Sequence, residues 1–305
     1  MSNLDLIIRD LRAQLPQLTI LENEPMSRHC SFRIGGPVRA MVQPSSTEEA
    51  AEVCRVLRAA EAAPLIIGNG TNLLVTDAPL ERIAVQFGEK MSAIERVGQD
   101  SLRAQCGVTL ARLAATAQSW ALSGMEFAHG IPGSLGGGVS MDAGAYGGEL
   151  KDVVVSTRYL DEELCERECV GAEHDFAYRH SRFSDTDCVI LESAVRLTPD
   201  DPEAIMERMM TLREKRRASQ PLEMPSAGST FKRPVGGYAA ALIDQAGLKG
   251  YAIGGAQVSE KHGGFVINRG GATFDDVLRL IEHIRNEVYK MSGITLETEV
   301  KIIRE

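Results

Sequence analysis

The sequence predicts an α+β protein with more than one domain, and three observations carry that reading. Amphipathic helical segments with capping signals dominate the first 124 residues. From Lys151 to Thr198 the pattern changes to short β-rich runs separated by charged turns. A basic helix then ends near Gln220, and a second group of helices closes on an alternating strand. A chain of 305 residues can bury more than one core, which agrees with two domains.

Taken in order, MSNLDLIIRDLRAQLPQL reads as a short amphipathic helix. QPSSTEEAAEVCRVLRAAEAAP carries the capping-box pair Ser46 and Glu49, followed by Ala50, Val53, Cys54, Leu57 and Ala60 at helical spacing. The apolar run LII then reads as a strand entering the tight turn GNGTN. VTLARLAATAQSWALSG is a helix packing through Leu110, Leu113, Ala114 and Ala117 and stopping near Gly124. VVVSTRYL and CVILESAVRL are strands. A helix starts at Asp201 with Pro202 in its first turn and ends in the basic cluster REKRR. AALIDQAGLKG and TFDDVLRLIEHIRNEVYKMSG are helices, the latter with Val277, Leu280, Ile281, Ile284 and Val288 on one face. In ITLETEVKII, Leu296, Thr298, Val300 and Ile302 share one strand face, with Glu297, Glu299 and Lys301 on the other.

Composition narrows the function classes. A formal charge of −9 argues against a nucleic-acid partner. The N-terminal segment lacks the features of a signal peptide and no run reaches the length of a membrane span, so the expectation is a cytoplasmic protein with no membrane partner, and a monomer. Cys30, Cys54, Cys106, Cys165, Cys169 and Cys188 form no CxxC and have no histidine at ligand spacing, so neither a zinc site nor a disulfide framework is expected.

The chemistry sits in two glycine loops. GIPGSLGGGVSMDAGAYGG, residues 130–148, holds eight glycines in nineteen positions, a density expected where something lies close to the backbone. Neither it nor GNGTN fits GxGxxG or GxxxxGK[ST], which argues against a dinucleotide-binding Rossmann unit and a P-loop. A GxG turn after a strand offers amides to phosphate oxygens, or serves only as a turn; the residues alone leave both open.

Together, PMSRHCSFRIGG, GNGTNLLV, GIPGSLGGGVSMDAGAYGGE, YRHS, PSAGSTFKRP, GGAQVSEKHGGFVIN and LETEVKII, in this order and spanning nearly the whole chain, resemble the UDP-N-acetylenolpyruvoylglucosamine reductases. The resemblance implies the FAD-binding fold of the vanillyl-alcohol oxidase / p-cresol methylhydroxylase type with a smaller C-terminal α+β substrate domain. It implies an FAD-binding part at 1–219, divided near residue 80, a substrate-binding part at 220–293, and a closing strand at 294–305. It also implies non-covalent FAD, NADPH as hydride donor, and a UDP-sugar substrate whose enolpyruvyl ether is reduced to a lactyl ether.

On the same resemblance, Gly68, Asn69, Gly70, Thr71, Asn72 and Leu73 hold the pyrophosphate, Ile131, Gly133, Ser134, Gly137 and Gly144 line the rest of the cofactor, and Ile190 adds a contact. His129 receives no attachment role. Hydride delivery to the vinyl CH2 pushes charge onto the carboxylate, so a cation must stabilise the enolate and an acid must protonate the neighbouring carbon. Ser229 matches the family's proton donor. Arg179 matches the enolate-stabilising arginine, whose guanidinium offers a bidentate fork, and Glu299 matches the glutamate beside it. Glu297 shares the face of Glu299 and is separated from it only by the motif. Lys232, Arg233, Arg216 and Tyr178 are assigned to the substrate, within a basic cluster that includes Arg213, Lys215 and Arg217; His262 is read as structural.

Two departures stand out: threonine at position 71, where serine is more usual, and Asp142, where asparagine is commoner and a charge near FAD would weaken binding unless turned away or paired. The chain resembles the family's short form. Two rivals remain on the residues alone. An oxidase of the same flavin fold would reoxidise in air, and a nucleotide-binding module without redox chemistry would purify colourless.

Overall fold

The computed structural model describes residues 2–304, and the chain divides into two compact units. The first comprises Met1–Glu22, Arg39–Asn69 and Arg82–Glu214; the second comprises Asn23–Val38, Gly70–Glu81 and Lys215–Glu305. The chain passes from one to the other inside GNGTN, between Asn69 and Gly70.

In the first unit the helices are α1 (Asn3–Gln14), α2 (Thr47–Ala59), α3 (Leu110–Ser119), the short α4 (Leu135–Ser140) and most of α5 (Pro202–Ser219). The expected faces of α2 and α3 are buried: Ala50, Val53 and Leu57, with Leu110, Leu113, Ala114 and Ala117, are all at most 1% exposed. Each large aliphatic side chain removed from water in this way contributes about 1.5–3 kcal/mol. The capping box at Ser46 forms only by half. Ser46 accepts the Glu49 N–H, but the Glu49 carboxylate turns to the Ser45 N–H and hydroxyl, at 2.6 and 2.7 Å. In α5 the buried residues are Ile205 and Met209, so most of this helix faces water.

Two sheets complete this unit. One runs Thr19–Pro25, Pro37–Gln43, Leu80–Gln86, Leu65–Ile67, with the last two strands parallel. The other is antiparallel, in the order Glu166–Val170, Val154–Leu160, Val189–Arg196, Ser101–Gln105, Ile94–Val97. The two runs read as strands are direct neighbours in it, with Thr157 opposite Ser193. Helix α4 packs on Val189–Arg196 and Ser101–Gln105, which seats the glycine-rich segment on this sheet.

The second unit has an antiparallel sheet ordered Ser226–Ser229, Phe265–Asn268, Ala256–Val258, Ala252–Ile253, covered by α6 (Ala239–Gln245) and α7 (Phe274–Ser292). Helix α7 buries the five expected residues, starts in a capping box of Thr273 and Asp276, and ends on Gly293 at φ +72°. The single strand expected over ITLETEVKII is shorter than predicted. Only Lys301–Ile303 is a strand, parallel to Leu73–Val75, while the preceding segment forms one bridge, Phe231 to Thr298. The segment changes partners between Glu299 and Lys301, bonding first to Thr230 and then to Asn72, so no continuous ladder spans it. Its alternation survives, with Leu296 and Val300 buried and Glu297 exposed.

Candidate functional site

In the first unit, the second glycine loop is built largely against the protein itself. A Cβ at Gly136 would stand 2.9 Å from the Cys106 Cβ, one at Gly138 2.8 Å from Leu150, one at Gly144 2.5 Å from Glu149 and one at Gly148 2.6 Å from Phe127. These four glycines let α4 and the following hairpin sit tightly on their neighbours. Gly137 differs, because a Cβ there would meet only the Ser134 hydroxyl, at 3.5 Å, so its backbone keeps an open side. Ser134 stands at the N-cap of α4 without capping it. Its hydroxyl instead lies 2.1 Å from where a Gly68 Cβ would be, which brings the two glycine loops together. The segment is pinned by Leu110 N–H donating to Gly133 O at 2.9 Å. Ile131 packs half-buried on the core and Ile190 is 8% exposed.

On the second unit's side of GNGTN, Gly70 has φ +60°, and a Cβ there would lie 2.0 Å from the His29 carbonyl oxygen. His29 Nε2 is 3.0 Å from Glu24 Oε1 behind this turn, a contact that no sequence signal announced. Cys30 also backs the turn, and burial pushes its thiol up to about 12, which removes it as a nucleophile. After the turn, Asn72 donates from Nδ2 to Glu299 O at 3.1 Å, and Lys301 N–H donates to Asn72 O at 2.9 Å.

Ser229 and Glu299 lie in two segments of this unit that pair with each other. Glu299 N–H donates to Thr230 O at 2.9 Å and Lys232 N–H to Glu297 O at 2.9 Å, bracketing the Phe231–Thr298 bridge. Ser229 follows an irregularity in its strand, where Gly228 takes φ +74°, and re-enters the ladder opposite Phe265. Among the described residues no hydrogen bond engages its hydroxyl. The two glutamates left equivalent by strand alternation are distinguished: Glu297 forms an ion pair with Lys232 at 2.5 Å and is 72% exposed, whereas Glu299 is half-buried. Arg233 lies 4.6 Å over the Tyr238 ring, and Arg216 is half-exposed on α5.

Arg179 and Tyr178 belong to the first unit, where they are the corners of a tight hairpin closed by Ala177 and His180. The Arg179 guanidinium lies 4.9 Å over the Tyr178 ring, and Nη1 donates to Asp142 O at 3.4 Å. Arg179 itself has φ +55°.

Asp142 is turned away from the loop surface, with no exposed area. Its Oδ1 accepts the Lys151 N–H at 2.9 Å, and Oδ2 is buried without a partner. Burial, joined by Glu149 and Asp152, raises its pKa against the effect of Lys151. The charge therefore does not face a ligand. His129 Nδ1 is likewise enclosed without a partner, and burial together with Arg213 holds the ring toward its neutral form. His262 is structural: Nδ1 accepts the Gly264 N–H at 3.2 Å and the ring meets Phe265 edge-on.

The residues of the first unit fit FAD, because the open backbone at Gly137 and the uncapped Ser134 offer an amide and a hydroxyl to phosphate and ribityl oxygens. Among the described residues no group of three His, Cys, Asp or Glu is placed to hold a metal ion, and no helix is long and apolar enough to cross a membrane. The sequence reading missed Ser181, Ser184 and His174, which support the Arg179 hairpin by bonds that no local pattern announces.

Residues 38–163 match the family profile of an FAD binding domain, and residues 220–303 that of the UDP-N-acetylenolpyruvoylglucosamine reductase C-terminal domain. The UDP-N-acetylenolpyruvoylglucosamine reductase of Agathobacter rectalis is 44% identical over 98% of both chains, and that of Caldanaerobacter subterraneus 43% identical over 99% of both. The crystal structure of UDP-N-acetylenolpyruvylglucosamine reductase from Thermus caldophilus superposes with a TM-score of 0.81 at 29% identity, covering 94% of this chain and 99% of that one. With relatives this similar over nearly its whole length, the chain belongs to the UDP-N-acetylenolpyruvoylglucosamine reductase family.

Proposed function

We propose that Ser229, Arg179 and Glu299 carry the chemistry of an enzyme that reduces the enolpyruvyl ether of UDP-N-acetylenolpyruvoylglucosamine to UDP-N-acetylmuramate, an FAD-dependent step of peptidoglycan precursor synthesis. The observation that supports this most directly is the pairing of residues 230–232 with 297–299, which sets the segment that follows Ser229 against the Glu299 segment, itself bonded to Asn72 of the first glycine turn.

Bound FAD supplies the two-electron relay between NADPH and the vinyl CH2 of the substrate. Arg179 binds the substrate carboxylate through its fork and stabilises the negative charge that develops there. Glu299 is assigned with it to holding the enolate. Ser229 donates the proton from Oγ to the ether-bearing carbon, completing the lactyl group. Gly68 to Leu73 hold the pyrophosphate, and Ile131, Gly133, Ser134, Gly137, Gly144 and Ile190 line the flavin, ribityl and adenosine parts. Lys232, Arg233 and Arg216 receive the UDP diphosphate and Tyr178 borders the substrate. The enzyme is further proposed to act as a cytoplasmic monomer without nucleic-acid or membrane partners.

The test is an anaerobic visible spectrum of the purified protein. Flavin bands that bleach with NADPH and return only with the enolpyruvyl sugar support the reading; a folded sample that lacks flavin and cannot be loaded with FAD overturns it. Rapid return of the bands in air without the sugar favours an oxidase.

A further inference from the structure

We propose that Ser181, assisted by Ser184, is a positioning residue that fixes Arg179 in register with the flavin-side glycine loop by clamping its hairpin to the terminal carbonyl of α4. The proposal rests on Arg179 being the enolate-binding arginine. It starts from a strained presentation. Ala177 N–H donates to His180 O at 3.1 Å and His180 N–H to Ala177 O at 2.9 Å, so Tyr178 and Arg179 are the two central residues of a turn. Arg179, the second of them, has φ +55°, a conformation that such a turn normally gives to glycine or asparagine. For an L-residue with a side chain this costs about 1–2 kcal/mol and persists only where the surroundings impose it.

Two hydroxyls supply that constraint. Ser181, with no exposed area, donates from Oγ to Ser140 O at 2.8 Å and accepts the Phe183 N–H at 3.2 Å. Ser184 donates from Oγ to the same oxygen at 2.6 Å and accepts the Ser181 N–H at 3.0 Å. Ser140 is the last residue of α4, and a carbonyl at a helix end has no helical donor to accept from. Both of its lone pairs go to the hairpin. Arg179 Nη1 reaches Asp142 O two residues further on, so residues 140–142 receive three donors from residues 179–184. Phe183, 4% exposed and edge-on to Tyr159, seats the same segment in the core. The arginine is thereby registered to the helix that carries Ser134 and Gly137, rather than to the surface loop from which it projects.

The alternative is that the hydroxyls only satisfy a helix end. Ser181→Ala, Ser181→Cys, Ser184→Ala and the double variant S181A/S184A, each loaded with FAD, separate the two. Hydrogen exchange at the amides of residues 177–184 is measured beside both half-reactions by stopped flow. The expected result is faster exchange there, flavin reduction by NADPH within about twofold of the parent, and reoxidation by the enolpyruvyl sugar slowed about tenfold for one lost hydroxyl bond. S181C keeps the volume without a strong donor, so it should behave as S181A; parental behaviour in S181C overturns the clamp. Equal slowing of both half-reactions, or unchanged exchange, also overturns it. Arg179→Lys is run alongside. A slow R179K with parental serine variants removes the clamp alone, whereas an R179K that reoxidises normally removes the assignment of Arg179 and the clamp's role with it.

Discussion

Ser229 and Arg179 each stand at a left-handed point in the backbone, and the two units absorb it in opposite ways. In the second unit the positive φ falls on Gly228, one residue ahead of the serine, and a Cβ there would meet nothing within 4 Å. Ser229 then rejoins a ladder whose neighbours bond to the Glu299 segment. In the first unit the positive φ falls on Arg179 itself, and side-chain hydroxyls hold the hairpin from outside. A ladder positions a group through many redundant backbone bonds. A side-chain brace depends on a few, so the arginine is the easier of the two to mislay by mutation away from the chemistry.

The largest effect should come from removing the group that the ladder presents. Ser229→Ala is expected to slow reoxidation by the enolpyruvyl sugar by about 10²–10⁴, the usual contribution of a positioned proton donor, while flavin reduction by NADPH stays near the parent rate. Equal slowing of both halves in stopped-flow traces would argue for a misplaced flavin instead. Gly70→Ala comes next. Its φ of +60° and the 2.0 Å approach of the His29 carbonyl combine strain with overlap onto backbone, which cannot step aside. A loss of about 3 kcal/mol in denaturant unfolding and weaker FAD retention are expected.

A paired measurement sharpens the contrast. Gly228→Ala should cost about 1–2 kcal/mol, because alanine must adopt the conformation that glycine takes freely. Arg179→Gly should relieve a cost of that size, less about 0.4–1 kcal/mol for the freer unfolded chain, so stability is expected to stay within about 1 kcal/mol of the parent while reoxidation fails. If Arg179→Gly instead loses several kcal/mol, the arginine is a structural residue and the strain argument is wrong.

What the sequence disclosed follows physical range. Helix faces repeat every three to four residues, so Val277 through Val288 and the α2 and α3 faces were legible from local spacing. The Glu49 carboxylate was misread because two serines, Ser45 and Ser46, competed for it and spacing cannot rank them. ITLETEVKII looked like one strand because alternation reports burial and not which partner each residue bonds. The glycine density pointed to a close approach to the backbone; at Gly136, Gly138, Gly144 and Gly148 the protein's own atoms make that approach, and composition cannot tell such packing from ligand contact. The catalytic candidates came from the motifs. Their supports, Ser181, Ser184 and His174, are side-chain bonds made across the fold, and no local pattern encodes them.

The smallest expected effect concerns that brace. His174 has no exposed area, stacks on Phe176, and bonds through Nδ1 to Gly171 O and through Nε2 to the Thr157 hydroxyl, each at 2.9 Å; its carbonyl accepts the Arg182 N–H at the base of the Arg179 hairpin. A carbonyl can only accept, so Nδ1 carries the proton, Nε2 accepts from Thr157, and Thr157 accepts from Ser193 at 2.9 Å. Protonating Nε2 would reverse that chain. Burial lowers the His174 pKa, helped by Arg182 and opposed by the Gly171 bond and Glu173. With the folded value below the ordinary one of about 6.5, the unfolded chain binds the proton first, so the contribution is complete above about pH 6.5 and is lost as pH falls below it. Thermal midpoints of the parent should therefore drop between about pH 7 and 5 more steeply than those of His174→Gln, whose amide cannot titrate. Identical slopes would mean that the brace is indifferent to the charge of this ring.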